Sequence, residues 1–227
     1  ILVCLVGSEM CIRDRIFRCE DRISETLSFA ELYNQVSKTA QHLKELGVTK
    51  GDRVAGFLPN FAGSIVAMLA TASVGAIWSS CSPDFGEQGV IDRFGQIEPK
   101  VLFCVDGYFY NGKTHNCLEK IKSFTARLPS LKQVVIFDYA SLSNIIVNNS
   151  ISYQEILENY EAIEIGFERV GFDHPLYIMY SSGTTGVPKC IVHGHGGTLV
   201  QHLKEHQLQT NISSVSYTHL RAHETHE

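Results

Sequence analysis

The sequence predicts an α/β fold with a mostly parallel sheet flanked by helices on both faces. Two observations carry this. Short runs rich in Val, Ile and Phe alternate with helix-patterned stretches between residues 28 and 138, and each switch of period is marked by a capping residue, a glycine or a proline. The chain has 227 residues, 44% hydrophobic and 19% charged, which is ample to bury a core.

The elements follow in order. Phe29, Leu32, Val36, Leu43 and Leu46 share one helical stripe, Ser28 with Glu31 forms a capping box, and Gly47 stops the helix. "RVAGFLP" is a strand ended by Pro59, "AGSIVAMLATASVG" a small-residue helix, and "AIWSSCS" the next strand. "EQGVIDRFGQI" is a helix stopped before Pro99, "KVLFCV" a strand, "THNCLEKIKSFTARL" a helix opened by Thr114, and "QVVIFD" a strand. Strand–helix alternation of this length builds βαβ units. Tyr139 to Ser150 reads as a polar surface loop, and Ser152 with Glu155 caps a short helix through Glu158. "PLYIMY" is expected as a buried strand and "CIVH" as a second one, with Gly197-Thr198 opening a helix through Gln209.

Charge and cysteine usage narrow the class. A net charge of -5 without a basic block argues against nucleic acid, whose phosphates are gripped by clustered Lys and Arg. Seven cysteines with no CxxC or zinc-type spacing read as reduced thiols in a cytoplasmic protein. The opening "ILVCLVG" lacks the basic residues of a secretory signal and is far short of the roughly 20 apolar residues of a membrane helix. His219, His223 and His226 fall on one helical face, a spacing from which a zinc site is conceivable, but the spacing implies no supporting carboxylate and no metal site is assigned. Both ends are similar to translated sequencing-adapter read-through. The expected organisation is therefore a non-native end at 1–15, the protein proper at 16–213 and a second non-native end at 214–227.

The chemistry concentrates between the last two strands, in "YSSGTTGVPK". A phosphate chain requires N–H groups that approach closely, which glycine permits, together with hydroxyl donors and a mobile cation. Ser181, Ser182, Gly183, Thr184, Thr185, Gly186 and Lys189 supply all three, and Pro188 stiffens the turn before the lysine. A flexible surface hairpin has a similar composition but not this ordered string. A Walker A loop is excluded, because Val187 and Pro188 separate Gly186 from Lys189 and the loop joins two strands without opening a helix.

"YSSGTTGVPK" resembles the signature phosphate loop of the adenylate-forming (AMP-binding) enzymes, the acyl-CoA synthetases and their relatives. "HGHGG", "WSSCSPDFGEQGVIDRFGQIEPKVLF", "DGYFYNGKTH" and "GDRVAGFLPN" narrow the resemblance to the branch that activates acetoacetate. It runs from about Ile16 to about Ser213 and implies part of the N-terminal domain of such an enzyme. The implied reaction has two steps: a carboxylate attacks the α-phosphate of ATP, releasing pyrophosphate, and the thiol of coenzyme A then attacks the acyl-adenylate. ATP, Mg2+ and coenzyme A are the implied cofactors. By the resemblance, Ser181 to Lys189 would hold the β- and γ-phosphates, with Thr184, Thr185 and Lys189 as the catalytic groups. Lys113, Ser79 and Ser80 fall where related synthetases contact coenzyme A; a solvated lysine and satisfied strand-end serines are the plainer reading. For His193 and His195 two readings are open, a substrate- or adenylate-facing imidazole and imidazoles satisfied by backbone. Cys81, Cys104 and Cys190 are expected as small buried hydrophobes. Acetate, propionate or butyrate is the alternative acid, and a non-catalytic nucleotide-binding piece the alternative role. The family's segments for adenine, ribose and magnesium, and its C-terminal lysine, are not found in this sequence. The 227-residue chain alone is thus expected to be inactive. It would also leave a sheet edge and apolar helix faces uncovered, so it is expected to be poorly soluble or partly molten. A cooperative unfolding transition independent of protein concentration would contradict that.

Overall fold

The computed structural model describes residues 14–19, 23–142, 147–181, 186–209 and 211. Strands β1 (Asp14–Cys19) and β2 (Ile23–Ser28) form an antiparallel pair that leads into helix α1 (Phe29–Glu45). Then come β3 (Arg53–Phe57), α2 (Ala62–Ser73), β4 (Ile77–Cys81), α3 (Glu87–Ile97) and β5 (Val101–Val105). A hairpin of β6 (Gly107–Tyr110) and β7 (Lys113–Asn116) precedes α4 (Leu118–Thr125), β8 (Gln133–Phe137), β9 (Ser150–Ser152) and α5 (Tyr153–Asn159). β10 (Pro175–Tyr180), β11 (Cys190–Gly194) and α6 (His195–Lys204) follow, with one π turn at Glu205–Gln209.

The main sheet has the order β11-β10-β4-β3-β5-β8-β9 and is parallel except for the β10–β11 pair. β5 reads Val-Leu-Phe-Cys-Val and is buried at every position, as a strand covered on both faces must be. Val101, Phe103 and Val105 face one layer with Val54, Trp78, Val66 and Val36. Leu102 and Cys104 face the other with Phe57, Phe94, Ile121 and Phe124. α1, α2 and α5 therefore cover one face, and α3 and α4 the other.

The local signals at α1 work as read. Ser28 and Glu31 complete the capping box, and Gly47, at φ 72°, closes a Schellman turn in which Val48 N–H reaches the Leu43 carbonyl at 2.9 Å. Ser152 and Glu155 form the same box on α5. The irregular segment after α5 is tied down by helix side chains: Ser37 Oγ donates to the Ile163 carbonyl at 2.7 Å, and Tyr33 Oη accepts from Ile165 N–H at 2.9 Å.

Three expectations need correction. Thr114 does not open a helix, because Asn111 and Gly112, at φ 50° and 70°, make a two-residue turn that commits 113–116 to the hairpin. The helix begins at Leu118, whose N–H is received by Asn116 Oδ1 at 2.8 Å. α6 starts at His195, two residues before the expected Gly197. Its first free N–H groups are satisfied by backbone: His195 donates to the His174 carbonyl and Gly196 to that of Phe172, both at 2.9 Å. β10 is only half-buried, since Met179 and its register partner Ile191 both face outward. Exposed apolar side chains gather here, on edge strand β11 (Ile191, Val192) and on α6 (Leu199, Val200, Leu203). Among the described residues no helix is long and apolar enough to cross a membrane. The terminal histidines His219, His223 and His226 lie outside the described residues.

Asp106 follows the last residue of β5 and is almost wholly buried. Its Oδ1 accepts from the N–H groups of Gly107 (2.8 Å), Tyr139 (2.9 Å) and Ala140 (2.8 Å), and its Oδ2 from Leu142 (2.7 Å). One carboxylate thus joins the start of the hairpin to the loop after β8. In the full-length protein, Asp106→Ala is expected to cost about 3 kcal/mol, because it strands these donors; a thermal midpoint equal to that of the unmodified protein would refute the role.

A second polar tie gives a pH dependence. Burial works against the Asp52 charge, but Lys100 Nζ at 2.5 Å, with Thr49 N–H (2.7 Å) and Oγ1 (2.9 Å), outweighs it and holds the carboxyl below its usual range. Because the folded value lies below the unfolded one, the stabilisation is full above the ordinary carboxylate range and is lost as pH falls through the depressed value. Lys100→Met should cost about 1 kcal/mol at pH 7. The variant and the unmodified protein should converge in urea midpoint on acidification, and a pH-independent difference would count against the pair.

Candidate functional site

Parallel pairing puts the carboxyl ends of β3, β4, β5 and β10 at one edge of the sheet. The chain visits β4 on one side of β3 and then crosses to β5 on the other, so connections diverge between β3 and β5. In open α/β sheets the crevice beyond such a switch point is where ligands bind. Here a cleft of about 540 Å³ lies there, lined by Pro59 and Asn60 after β3, Ser80 to Asp84 around the end of β4, and Tyr108 and Tyr110 of the hairpin. A neighbouring cleft of about 550 Å³ shares Ser80 and Ser82 and continues past Phe85 and Arg93 to Met179 and Tyr180.

The loop expected to hold phosphate leaves the same edge. Ser182, Gly183, Thr184 and Thr185 lie outside the described residues, whereas both roots are defined. Ser181 N–H donates to the Lys189 carbonyl at 3.1 Å, and Lys189 N–H donates to Ser181 Oγ at 3.3 Å, so the antiparallel ladder extends one step into the loop. Gly186 sits at φ 114°, a conformation that favours glycine, with open space where a Cβ would lie. Lys189 is exposed and forms no ion pair among the described residues.

α3 supports the roots from below. Gln96 Nε2 donates to the Pro188 carbonyl at 2.8 Å, and the Arg93 guanidinium lies 4.3 Å from the Phe85 ring centre and 5.7 Å from that of Tyr180. Neither Gln96 nor Arg93 stands out in the sequence, because each acts through a contact with a distant segment. Burial pushes the Tyr180 hydroxyl well above its ordinary value, and it is hydrogen-bonded to Ser79 Oγ at 2.9 Å.

The other singled-out residues separate. Ser79 is buried, with its Oγ also bonded to the Ile178 carbonyl at 2.8 Å, whereas Ser80 is exposed and lines both clefts. Lys113 is exposed at the hairpin turn, opposite Tyr110, which lines the first cleft. Trp78 packs in the core beside Phe103.

The histidines lie elsewhere. His193 is the penultimate residue of β11, against the Tyr177 ring, and His195 begins α6, at the end of the strand pair opposite the loop's roots. His195 lies 5.6 Å from His174, and its buried Nε2 has no hydrogen-bond partner among the described residues. Burial, then His174, keeps this imidazole below its usual pKa.

The thiols are poor nucleophiles. Burial pushes Cys81 up to about 12 and Cys117 up to about 11, and raises Cys104 well above its ordinary value. Cys190 is half-buried and is also raised by burial. The four are unpaired.

Residues 12–221 match the family described as AMP-binding enzyme. The chain is 51% identical over 195 residues to acetoacetyl-CoA synthetase of Gallus gallus, covering 83% of this chain and 29% of that one. It is 50% identical over 200 residues to acetoacetyl-coenzyme A synthetase of Rhizobium meliloti (strain 1021), covering 87% and 30%. Its structure superposes on acetoacetyl-CoA synthetase from Streptomyces lividans with a TM-score of 0.82 and 42% identity, covering 87% of this chain and 30% of that one. The chain thus spans about 30% of the length of these relatives.

Proposed function

Because the chain belongs to the AMP-binding enzyme family, we propose that it is part of an acid–thiol ligase that makes acetoacetyl-CoA from acetoacetate, ATP and coenzyme A. The reaction runs through an acyl-adenylate and releases AMP and pyrophosphate. Residues 16–213 form part of the AMP-binding N-terminal domain. The observation that carries this reading is the string "YSSGTTGVPK", whose described roots lie at the carboxyl edge of the sheet with Lys189 exposed and in no ion pair among the described residues.

The loop's role is electrostatic. As the carboxylate attacks the α-phosphate, negative charge grows on the departing pyrophosphate. Backbone N–H groups near Gly183 and Gly186, the hydroxyls of Ser181, Ser182, Thr184 and Thr185, and the Lys189 ammonium receive it. None of these groups needs to exchange a proton. Coenzyme A is assigned to the switch-point cleft, with Ser80 toward the pantetheine arm and Lys113 toward a nucleotide phosphate. The nucleophile is the thiol of coenzyme A, consistent with protein thiols that burial keeps protonated. Mg2+ is bound through one or two carboxylates together with substrate phosphates and waters. In this reading Mg2+ accompanies the phosphates of ATP. A cytoplasmic location fits the unpaired thiols.

The test is acid-dependent pyrophosphate release by the full-length protein, with acetoacetate and acetate compared at equal concentration. Acetoacetate should be preferred, and Lys189→Ala, or Thr184→Ala combined with Thr185→Ala, should cut the rate about 100-fold. Preference for acetate would reassign the substrate, and release with neither acid would overturn the ligase reading.

A further inference from the structure

We propose that α3 is a splint for the phosphate loop and that Gln96 is the positioning residue for Lys189. Gln96 Nε2 donates to the carbonyl of Pro188 at 2.8 Å, and Gln96 Oε1 accepts from Cys190 Sγ at 3.6 Å. One carboxamide therefore grips the residues on both sides of Lys189. Its other Nε2 proton is directed at the Asp92 carbonyl one turn back, at 2.5 Å, which fixes the rotamer. The amide orientation is set by its partners, because the carbonyls can only accept and the thiol is the donor.

Arg93, three residues earlier on the same helix face, lies under Tyr180 at the outgoing root. A single helix thus touches both roots of the loop. At the base of the loop, Ser181 N–H donates to the Lys189 carbonyl and Lys189 N–H to Ser181 Oγ. What remains free is the Lys189 side chain, exposed and unpaired among the described residues. An arm held on both sides of the lysine has less conformational freedom left to lose when phosphate arrives, so less of the binding free energy goes into ordering it. Gln96 acts through Pro188 and Cys190, and its effect rests on the reading that Lys189 meets the phosphates of ATP.

The experiment uses the full-length protein with Gln96→Leu, which removes both contacts but keeps bulk and helix propensity. Gln96→Lys, which returns a donor for the Pro188 carbonyl, and Lys189→Ala are the companions. Gln96→Leu should raise the KM for ATP about threefold to tenfold, the effect of losing one ordinary hydrogen bond, with the KM for the acid unchanged. Tryptic cleavage after Lys189 should be faster at an unchanged thermal midpoint. Gln96→Lys should recover much of the ATP affinity. If Gln96→Leu matches the unmodified protein in both readouts while Lys189→Ala is crippled, the splint is wrong and the loop reading stands. If Lys189→Ala is also unaffected, the loop reading falls and takes the splint with it. If Gln96→Leu weakens ATP and acid alike and lowers the midpoint, general destabilisation is the cause and the positioning role is rejected.

Discussion

The rest of the structure depends on one constraint: β5 has no polar residue on either face. Val101 to Val105 are all buried, so helices must cover the sheet on both sides. Helical crossovers impose parallel pairing, and parallel pairing collects the carboxyl ends at one edge. The cleft at the switch point, lined by Asn60, Ser80, Ser82 and Asp84, opens at that edge. Asp106 is the first residue past β5 and spends its carboxylate on four backbone donors, which fixes the hairpin beside the cleft.

The same constraint sorts residues of one type into different jobs. Ser79 lies within the sheet and must satisfy its hydroxyl internally, on the Ile178 carbonyl and the Tyr180 hydroxyl, while Ser80 emerges at the edge and stays free to line a cleft. Cys81, Cys104 and Cys117 behave as apolar side chains whose burial disfavours the thiolate. The two histidines of "HGHGG" sit where β11 turns into α6, so the antiparallel return carries them away from the loop's roots. Their proximity to the loop in sequence is the result of a chain that runs back down the sheet.

Local chemistry was legible where neighbours in sequence decide it. Both capping boxes and the Gly47 stop could be read directly, as could the alternation that sets the sheet. Asn111-Gly112 was an equally local hairpin signal between alternating residues, but the helical pattern after it masked it and moved the start of α4 forward by four residues. The α6 start was hidden for a different reason, since its cap is the backbone of Phe172 and His174, and Gly196 admits the Phe172 ring, to which a Cβ there would come within 2.2 Å. At the site, the composition of 181–189 is what carries the proposed phosphate-binding role. Asp106 and Gln96 did not, because a carboxylate or carboxamide gains its role only from segments that the fold brings to it.

Under the proposed function, that the loop's roots belong to an antiparallel strand pair has a consequence for how an anion is held. Many phosphate sites borrow the positive end of a helix, a fixed partial charge built into the scaffold. Here the cation, Lys189, stands one ladder step beyond the end of a strand, where Ser181 and Lys189 close on each other. Its charge belongs to a side chain and not to the backbone, so a single substitution or a covalent modification of that amine can remove it while the sheet that carries it stays intact.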